Sequence, residues 1–212
     1  MSVLASHILD SKVLFDIGSN VGAFSKAAVN VGFRGRLFLF EPVPNLLSIS
    51  SKNLANMAVP KVFINAALGN VDEPSEIELF LPHDGNIGWI TGVPEKRTTE
   101  DKVVAVLDST RHWAESWMPD FVKVDVEGYE VNILEPFERL ITEQYQPVFF
   151  VELGWGTANP HWQRFLNTAK RMISKGYCFW RIDKEVTQLG LADLETLSRT
   201  INVLILPPGK QS

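Results

Sequence analysis

The sequence predicts an α/β protein: a doubly wound, mostly parallel sheet with an inserted β-hairpin that carries a lid. Three observations predict it. Residues 13–22, VLFDIGSNVG, run from a buried strand through a glycine turn into a helix. Residues 36–41, RLFLFE, repeat the apolar strand and end on an acid, Glu41, 23 positions after Gly18. Segments such as VFFV are apolar throughout rather than alternating, as parallel strands covered on both faces should be.

The elements follow in order. Val13, Leu14 and Phe15 make an apolar run, so a strand is expected over 12–16. Phe24, Ala27, Ala28 and Val31 then recur at helical spacing and predict a helix over 21–32. The second strand, 36–41, is stopped by Pro42 and Pro44, and a helix over 44–56 leads to a strand over 61–65. EIELFLP (76–82) and KVVAVLD (102–108) read as strands of a hairpin or an added edge. Between them, residues 83–100 are expected to form a substrate lid, because long connections in compact domains serve as lids or binding loops. An amphipathic helix over 109–117 leads into FVKVDVEG (121–128), then a helix over 129–142, a strand over 147–154 and a helix over 160–175. Strands near 177–182 and 202–206 complete the pattern. Residues 207–212 carry no core pattern and are expected to be a flexible tail. With no internal repeat, 1–212 reads as one domain.

A hydrophobic fraction of 45% and a charged fraction of 21% are ordinary for a globular protein and exclude a disordered or membrane class. The formal charge of -5 gives no general attraction to nucleic acid, so a small-molecule or glycan partner is expected instead. Cys178 is the only cysteine, so no intrachain disulfide can form; it reads as a buried small hydrophobe. No apolar run reaches membrane-spanning length and no signal-peptide pattern opens the chain, which together predict a cytoplasmic protein.

The turn itself points to a cofactor. Gly18 and Gly22 let the backbone turn tightly and approach a ligand, and the helix that follows presents unpaired N–H groups suited to a carboxylate. Dinucleotide sites place a glycine where Asn20 stands, leaving room for a pyrophosphate. Asn20 leaves less room, and Asp16 would repel phosphate while attracting a cation. S-adenosylmethionine has the matching charges: a carboxylate, an ammonium and a sulfonium. Glu41, at the end of the next strand, is placed to accept hydrogen bonds from both ribose hydroxyls.

Lys123, Asp125 and Glu127 alternate along one strand and should project to one side near its carboxyl end, where ligands of open α/β sheets bind. Gly128 allows a sharp turn into the next helix. The plain alternative is that Glu127 and Glu130 cap that helix while Lys123 makes a structural ion pair. Glu152 ends the next core strand and should face the same crevice, and His161 opens the following helix as a candidate base or substrate ligand. Of the remaining histidines, only His83 falls in the lid. Trp89, Trp155 and Trp162 would suit stacking on a sugar, or else core packing. There is no HxxxH or CxxC spacing, so no dedicated metal site is expected; a divalent cation shared by Asp125 and Glu152 is possible but unsupported.

DIGSNVG, FEPVP, NAALGN, VLD and above all KVDVEGYE resemble the FkbM-type S-adenosylmethionine-dependent methyltransferases, over about residues 12–154. The resemblance implies a Rossmann-like, class I methyltransferase fold with seven strands, one of them reversed, and O-methylation of a hydroxyl on a sugar, glycolipid or polyketide-like metabolite. It implies that Asp16, Gly18, Asn20, Gly22 and Glu41 contact the cofactor, that Asn65, Ala66 and Ala67 lie near adenine, and that Asp125 sits near the reacting methyl. Asp125, Glu127, Glu152 and His161 are then the candidates to accept the acceptor's proton. Lys123 would hold the carboxylates or lower the acceptor's pKa. The chain opens almost directly at its first strand, without a preceding helix over the site. That leaves a partner, a second copy in a homo-oligomer or the 83–100 loop to complete the pocket. The rival readings are an NAD-dependent oxidoreductase, a S-adenosylmethionine-binding module without catalysis, and a nucleic-acid methyltransferase.

Overall fold

Apolar strands with side chains alternating between two faces need cover on both sides, and the chain supplies it with helices between strands. The computed structural model describes residues 3–81, 90–96 and 101–210. In chain order the elements are α1 (Val3–Leu9), β1 (Val13–Ile17), α2 (Ala23–Val31), β2 (Arg36–Phe40), α3 (Pro44–Leu54) and β3 (Lys61–Ile64). Next come β4 (Ala67–Gly69), β5 (Ser75–Phe80), β6 (Lys102–Ser109), α4 (Thr110–Trp117), β7 (Phe121–Val124) and α5 (Val131–Leu140). The last third adds β8 (Val148–Leu153), α6 (Trp162–Ser174), β9 (Cys178–Ile182), β10 (Val186–Leu189), α7 (Leu191–Glu195) and β11 (Ile201–Leu206).

The main sheet has eight strands in the order β10-β9-β11-β8-β7-β1-β2-β3. Its five strands from β8 to β3 pair in parallel. β11 runs antiparallel to both β8 and β9, and β10 antiparallel to β9. The doubly wound, mostly parallel prediction is met, but one strand beyond the expected seven, β10, extends the edge. Its sequence VTQL is largely exposed and carries no apolar run, which is why the pattern did not reveal it. The predicted inserted hairpin is β5 and β6, which pair antiparallel and are joined by β4 in a separate three-stranded sheet.

Side-chain parity sorts the core. Phe15, Ile17, Phe38, Phe40, Val122 and Phe149 face α4, α5 and α6. Leu14, Leu37, Leu39, Phe121 and Val148 face α1, α2 and α3. A short helix, α1, does precede the first strand, but it packs on α2 and buries Ala5, His7 and Ile8. Of the expected lid, residues 83–89 and 97–100, with His83 and Trp89, lie outside the described residues. Thr91 bridges to Phe80, which ties the described part of that connection to the small sheet. Of the expected tail, Pro207 packs as a buried residue and 208–210 are exposed. Cys178 is half-buried and carries a free thiol. Among the described residues no helix is long and apolar enough to cross a membrane.

The fully buried Phe137 ring meets Phe149 edge-on at 5.4 Å between centroids. Phe137→Ala should therefore cost about 3–5 kcal/mol in urea denaturation. Val62→Ala, at a position 39% exposed on the edge strand β3, should change stability by less than about 0.5 kcal/mol.

Candidate active site

The site begins with strand register. Asp16 on β1 stands directly beside Lys123 on β7, so the two side chains emerge on the same face of adjacent parallel strands. Both are enclosed, Asp16 at 0% and Lys123 at 6% exposure. Asp16 accepts from Ser25 Oγ at 2.7 Å and pairs with Lys123 Nζ at 3.2 Å. The same ammonium donates to the carbonyl of Gly18 at 2.6 Å and lies 3.5 Å from Asp125. Burial works against the Lys123 charge, but Asp16 and Asp125 outweigh it and hold its pKa above the ordinary value.

That ammonium sits beneath a turn made of left-handed residues. Gly18, Asn20 and Gly22 have φ of 70°, 50° and 77°. Asparagine tolerates this region better than other side-chain-bearing residues, which explains Asn20 between the glycines. Gly18 is obligatory for a second reason: a Cβ there would lie 1.9 Å from the carbonyl oxygen of Asp125. The N–H groups of Gly18 and Ser19 both donate to Phe40 O at 3.0 Å. Glu41 then receives Asn20 N and Val43 N, each at 2.9 Å, one on each carboxylate oxygen. Burial pushes the Glu41 pKa up, against the lowering pull of those two N–H groups. Each oxygen keeps a second lone pair for a ligand hydroxyl.

On the other side of the turn, β7 ends at Val124, and residues 125–128 form a tight loop rather than continuing the strand as the sequence suggested. Glu127 adopts φ 48° and Gly128 φ 94°. Four contacts fix this loop. Thr91 Oγ1 donates to Glu127 O at 2.7 Å and Asn159 Nδ2 to Gly128 O at 2.9 Å. Gly128 N donates to Glu130 Oε1 at 2.8 Å, and the Trp155 ring packs so closely that a Cβ on Gly128 would lie 2.2 Å from it. Asp125, Glu127 and Glu152 thereby bring one carboxylate oxygen each within 4.8 Å of one another. Proximity alone does not define a metal centre; its direct consequence is a raised affinity for protons. Burial first, then Asp125 and Glu152, push Glu127 up to about 8. Burial and Asp125 also raise Glu152, and burial raises Glu130 to about 7.

These segments enclose one cleft at the carboxyl ends of the parallel strands. Gly18, Asn20, Glu41, Asp125 and Glu127 line its polar side. Phe40, Leu46, Ala66, Leu68, Ile77 and Leu79 supply an apolar side, the last three from the small sheet. Ala67 also lines it, together with Ile90, Gly92 and Tyr129. The cleft therefore combines an apolar slot, the Glu41 carboxylate and a negatively charged end at Asp125 and Glu127, a donor set that could hold S-adenosylmethionine.

Several expected residues serve from behind the cleft. Asp16 and Lys123 are enclosed under the turn, because their register points them into the sheet beneath α2. Gly22 faces Ser50 and Leu54 of α3. Asn65 braces the end of β2 by donating to Glu41 O at 2.9 Å and Pro42 O at 3.0 Å. His161 lines a separate, much smaller crevice with Asn159, Trp162 and Phe165 and is not among the residues lining the cleft. Trp162 is core, its ring tilted against Phe165 at 4.6 Å between centroids, and Trp155 braces the 125–128 loop; neither is a sugar platform. Sequence reading missed Thr91, Asn159, Ser25 and Tyr129. Only Tyr129, inside the KVDVEGYE motif, carried a signal.

The sheet order, the glycine turn and the cleft at the carboxyl ends of the parallel strands define a class I S-adenosylmethionine-dependent methyltransferase fold. Residues 16–178 match the Methyltransferase FkbM domain, and the chain belongs to that family. No curated protein sequence matches it. Among solved structures it is similar to a putative rRNA-methylase from Clostridium thermocellum, with 12% identity over 96% of this chain and 95% of that one and a TM-score of 0.54. It is also similar to an O-methyltransferase from Bacillus cereus in complex with S-adenosylhomocysteine, with 11% identity over 96% of this chain and 78% of that one and a TM-score of 0.50. Identities this low speak for the fold alone. The family match sets aside the NAD-dependent reading: the chain is a S-adenosylmethionine-dependent methyltransferase.

Removing the cation of the buried pair should be costly. Lys123→Met leaves Asp16 enclosed and unpaired, and should lose about 3–5 kcal/mol in urea denaturation. Adding Asp16→Asn should recover part of that loss.

The raised acids give a pH signature. Glu127, Glu130 and Glu152 hold protons in the fold at pH values where the unfolded chain has lost them. Stability from this source is complete below the ordinary value of 4.5 and is lost as pH rises towards about 7–8. Glu127→Gln should therefore raise the calorimetric melting temperature at pH 8.5, by about 2–4 °C per kcal/mol of repulsion relieved. At pH 4.5 it should leave it nearly unchanged.

Proposed function

We propose that this methyltransferase acts on oxygen: it methylates a hydroxyl of a sugar, glycolipid or polyketide-like metabolite. The observation that carries the reading is the acid cluster at the polar end of the cleft, beside the glycine turn. A hydroxyl must shed a proton as it is methylated, and this end of the cleft offers carboxylates to take it. The excess of carboxylates over the single Lys123 also disfavours an anionic acceptor, which argues against nucleic acid.

When bound, S-adenosylmethionine supplies an electrophilic methyl on a cationic sulfur. The chain's own residues do the rest. Gly18 and Asn20 line the polar end that would receive the amino-acid part, Glu41 would orient the ribose, and Ala66, Ala67 and Leu68 would flank the base. Lys123 ties the Gly18 carbonyl to Asp125, so the cofactor side and the acceptor side keep one spacing. Holding two reactants in line can supply up to ~7–11 kcal/mol, whereas a general base typically adds ~10²–10⁴ in rate. Positioning is the larger contribution.

Incubation with methyl-labelled S-adenosylmethionine and separate pools of glycans, lipid extracts, small phenolic and polyketide-like hydroxyls, and RNA tests this. Label should enter glycan, lipid or small hydroxyl acceptors as an alkali-stable ether. Label confined to RNA would replace the proposal with nucleic-acid methylation. A folded, cofactor-saturated protein that labels nothing would favour a binding module.

A further inference from the structure

We infer that Glu127 is the catalytic residue that takes the acceptor's proton, and that Thr91 and Asn159 are positioning residues that aim it. The inference deepens the hydroxyl-methylation reading and rests on it. Glu127 and Asp125 both line the cleft, whereas Glu152 joins them from β8 and His161 is elsewhere. Asp125 is held by the Lys123 ammonium at 3.5 Å, which spends its charge on a fixed partner. Glu127 has no cation within ion-pair distance among the described residues and is half-buried.

The backbone adds an independent argument. A side-chain-bearing residue at φ 48° is strained, and here glycine would relieve the strain at the loss of the carboxylate. The strained conformation is fixed from two separate parts of the chain, by Thr91 on the Glu127 carbonyl and by Asn159 on the next one. Asp125, Glu152, Glu130 and Lys123 are the charged groups around it, and their net negative charge keeps the carboxylate avid for a proton.

The step balances. The acceptor oxygen forms a C–O bond to the methyl carbon as the C–S bond breaks. The C–S electron pair stays on sulfur as a neutral thioether, and the hydroxyl proton passes to a Glu127 carboxylate oxygen.

Because no acceptor is needed to find a carboxylate beside the transferred methyl, the test uses two cofactor analogues. S-adenosylhomocysteine lacks the methyl, and sinefungin carries an amine-bearing carbon in place of the methyl-sulfonium. In isothermal titration at pH 8, the wild type should prefer sinefungin by about tenfold or more, as a charge-assisted hydrogen bond would give. Glu127→Gln should abolish the preference while changing S-adenosylhomocysteine affinity less than about twofold. Glu152→Gln should keep it. Thr91→Val should reduce the preference and Thr91→Ser should restore it; a Thr91→Val protein with the full preference would remove Thr91 from the positioning role. A preference that survives Glu127→Gln, or falls equally in both glutamate variants, overturns the assignment, since a different group or only the summed charge then faces the methyl. Failure of the wild type to bind either analogue would instead remove the cofactor pocket, which separates the two ideas.

Discussion

The site depends on a buried cation. Lys123 lies between two parallel strands with its ammonium under the glycine turn, where it meets Asp16, the Gly18 carbonyl and Asp125. Such a pair is weak evidence for stability, since apolar residues of like volume at the same register would often do as well or better. What the pair supplies is position. An apolar pair could not hold a peptide carbonyl on one strand and a carboxylate on the next at a fixed spacing. The end of β1, which shapes the cofactor turn, and the end of β7, which carries the acidic loop, are thereby locked together.

The charge balance follows from the same arrangement. Asp16 consumes much of the Lys123 charge from below, so Asp125, Glu127 and Glu152 above it are left with a net negative field. Crowded carboxylates destabilise the folded chain as pH rises, and they would be a pure liability in a site meant for phosphate. They suit the proposed reaction, in which the site would receive a cationic sulfur and then accept a proton. Desolvation in the cleft makes both interactions stronger than they would be in water.

Most of the frame was legible in the sequence because burial writes itself into pattern. β1, β2, β7 and β8 are apolar on both faces, and the acids that end β1 and β2 announced the ligand crevice. Short or exposed elements left no such trace: β10 reads VTQL and is exposed, and α1 and α7 are helices of only 7 and 5 residues. The enclosure of Asp16 was not legible for a related reason. Strand position gave its height, but only the packing of α2 and the register with Lys123 show that it is enclosed on that face of the sheet. Asn159 and Thr91 act through long-range hydrogen bonds to backbone carbonyls, and no local spacing encodes a partner 31 or 36 residues away.

The places where local rules fail converge on the cleft. Of the four non-glycine residues with positive φ among those described, Met118 merely ends α4, while Asn20, Glu127 and Trp155 belong to the site or brace it. Sequences tend to violate local preference where function demands it and to compensate nearby. Asn20 needs little compensation. Glu127 needs more, and receives it partly from Thr91, which lies in the connection between β5 and β6 and is tied back to Phe80. The small sheet also supplies Ile77 and Leu79 to the cleft wall. The inserted segment therefore shapes the pocket and steadies the acidic loop at once. Through the Thr91 hydroxyl, any displacement of that segment reaches the Glu127 backbone, so on the proposed mechanism acceptor fit and proton removal are mechanically joined.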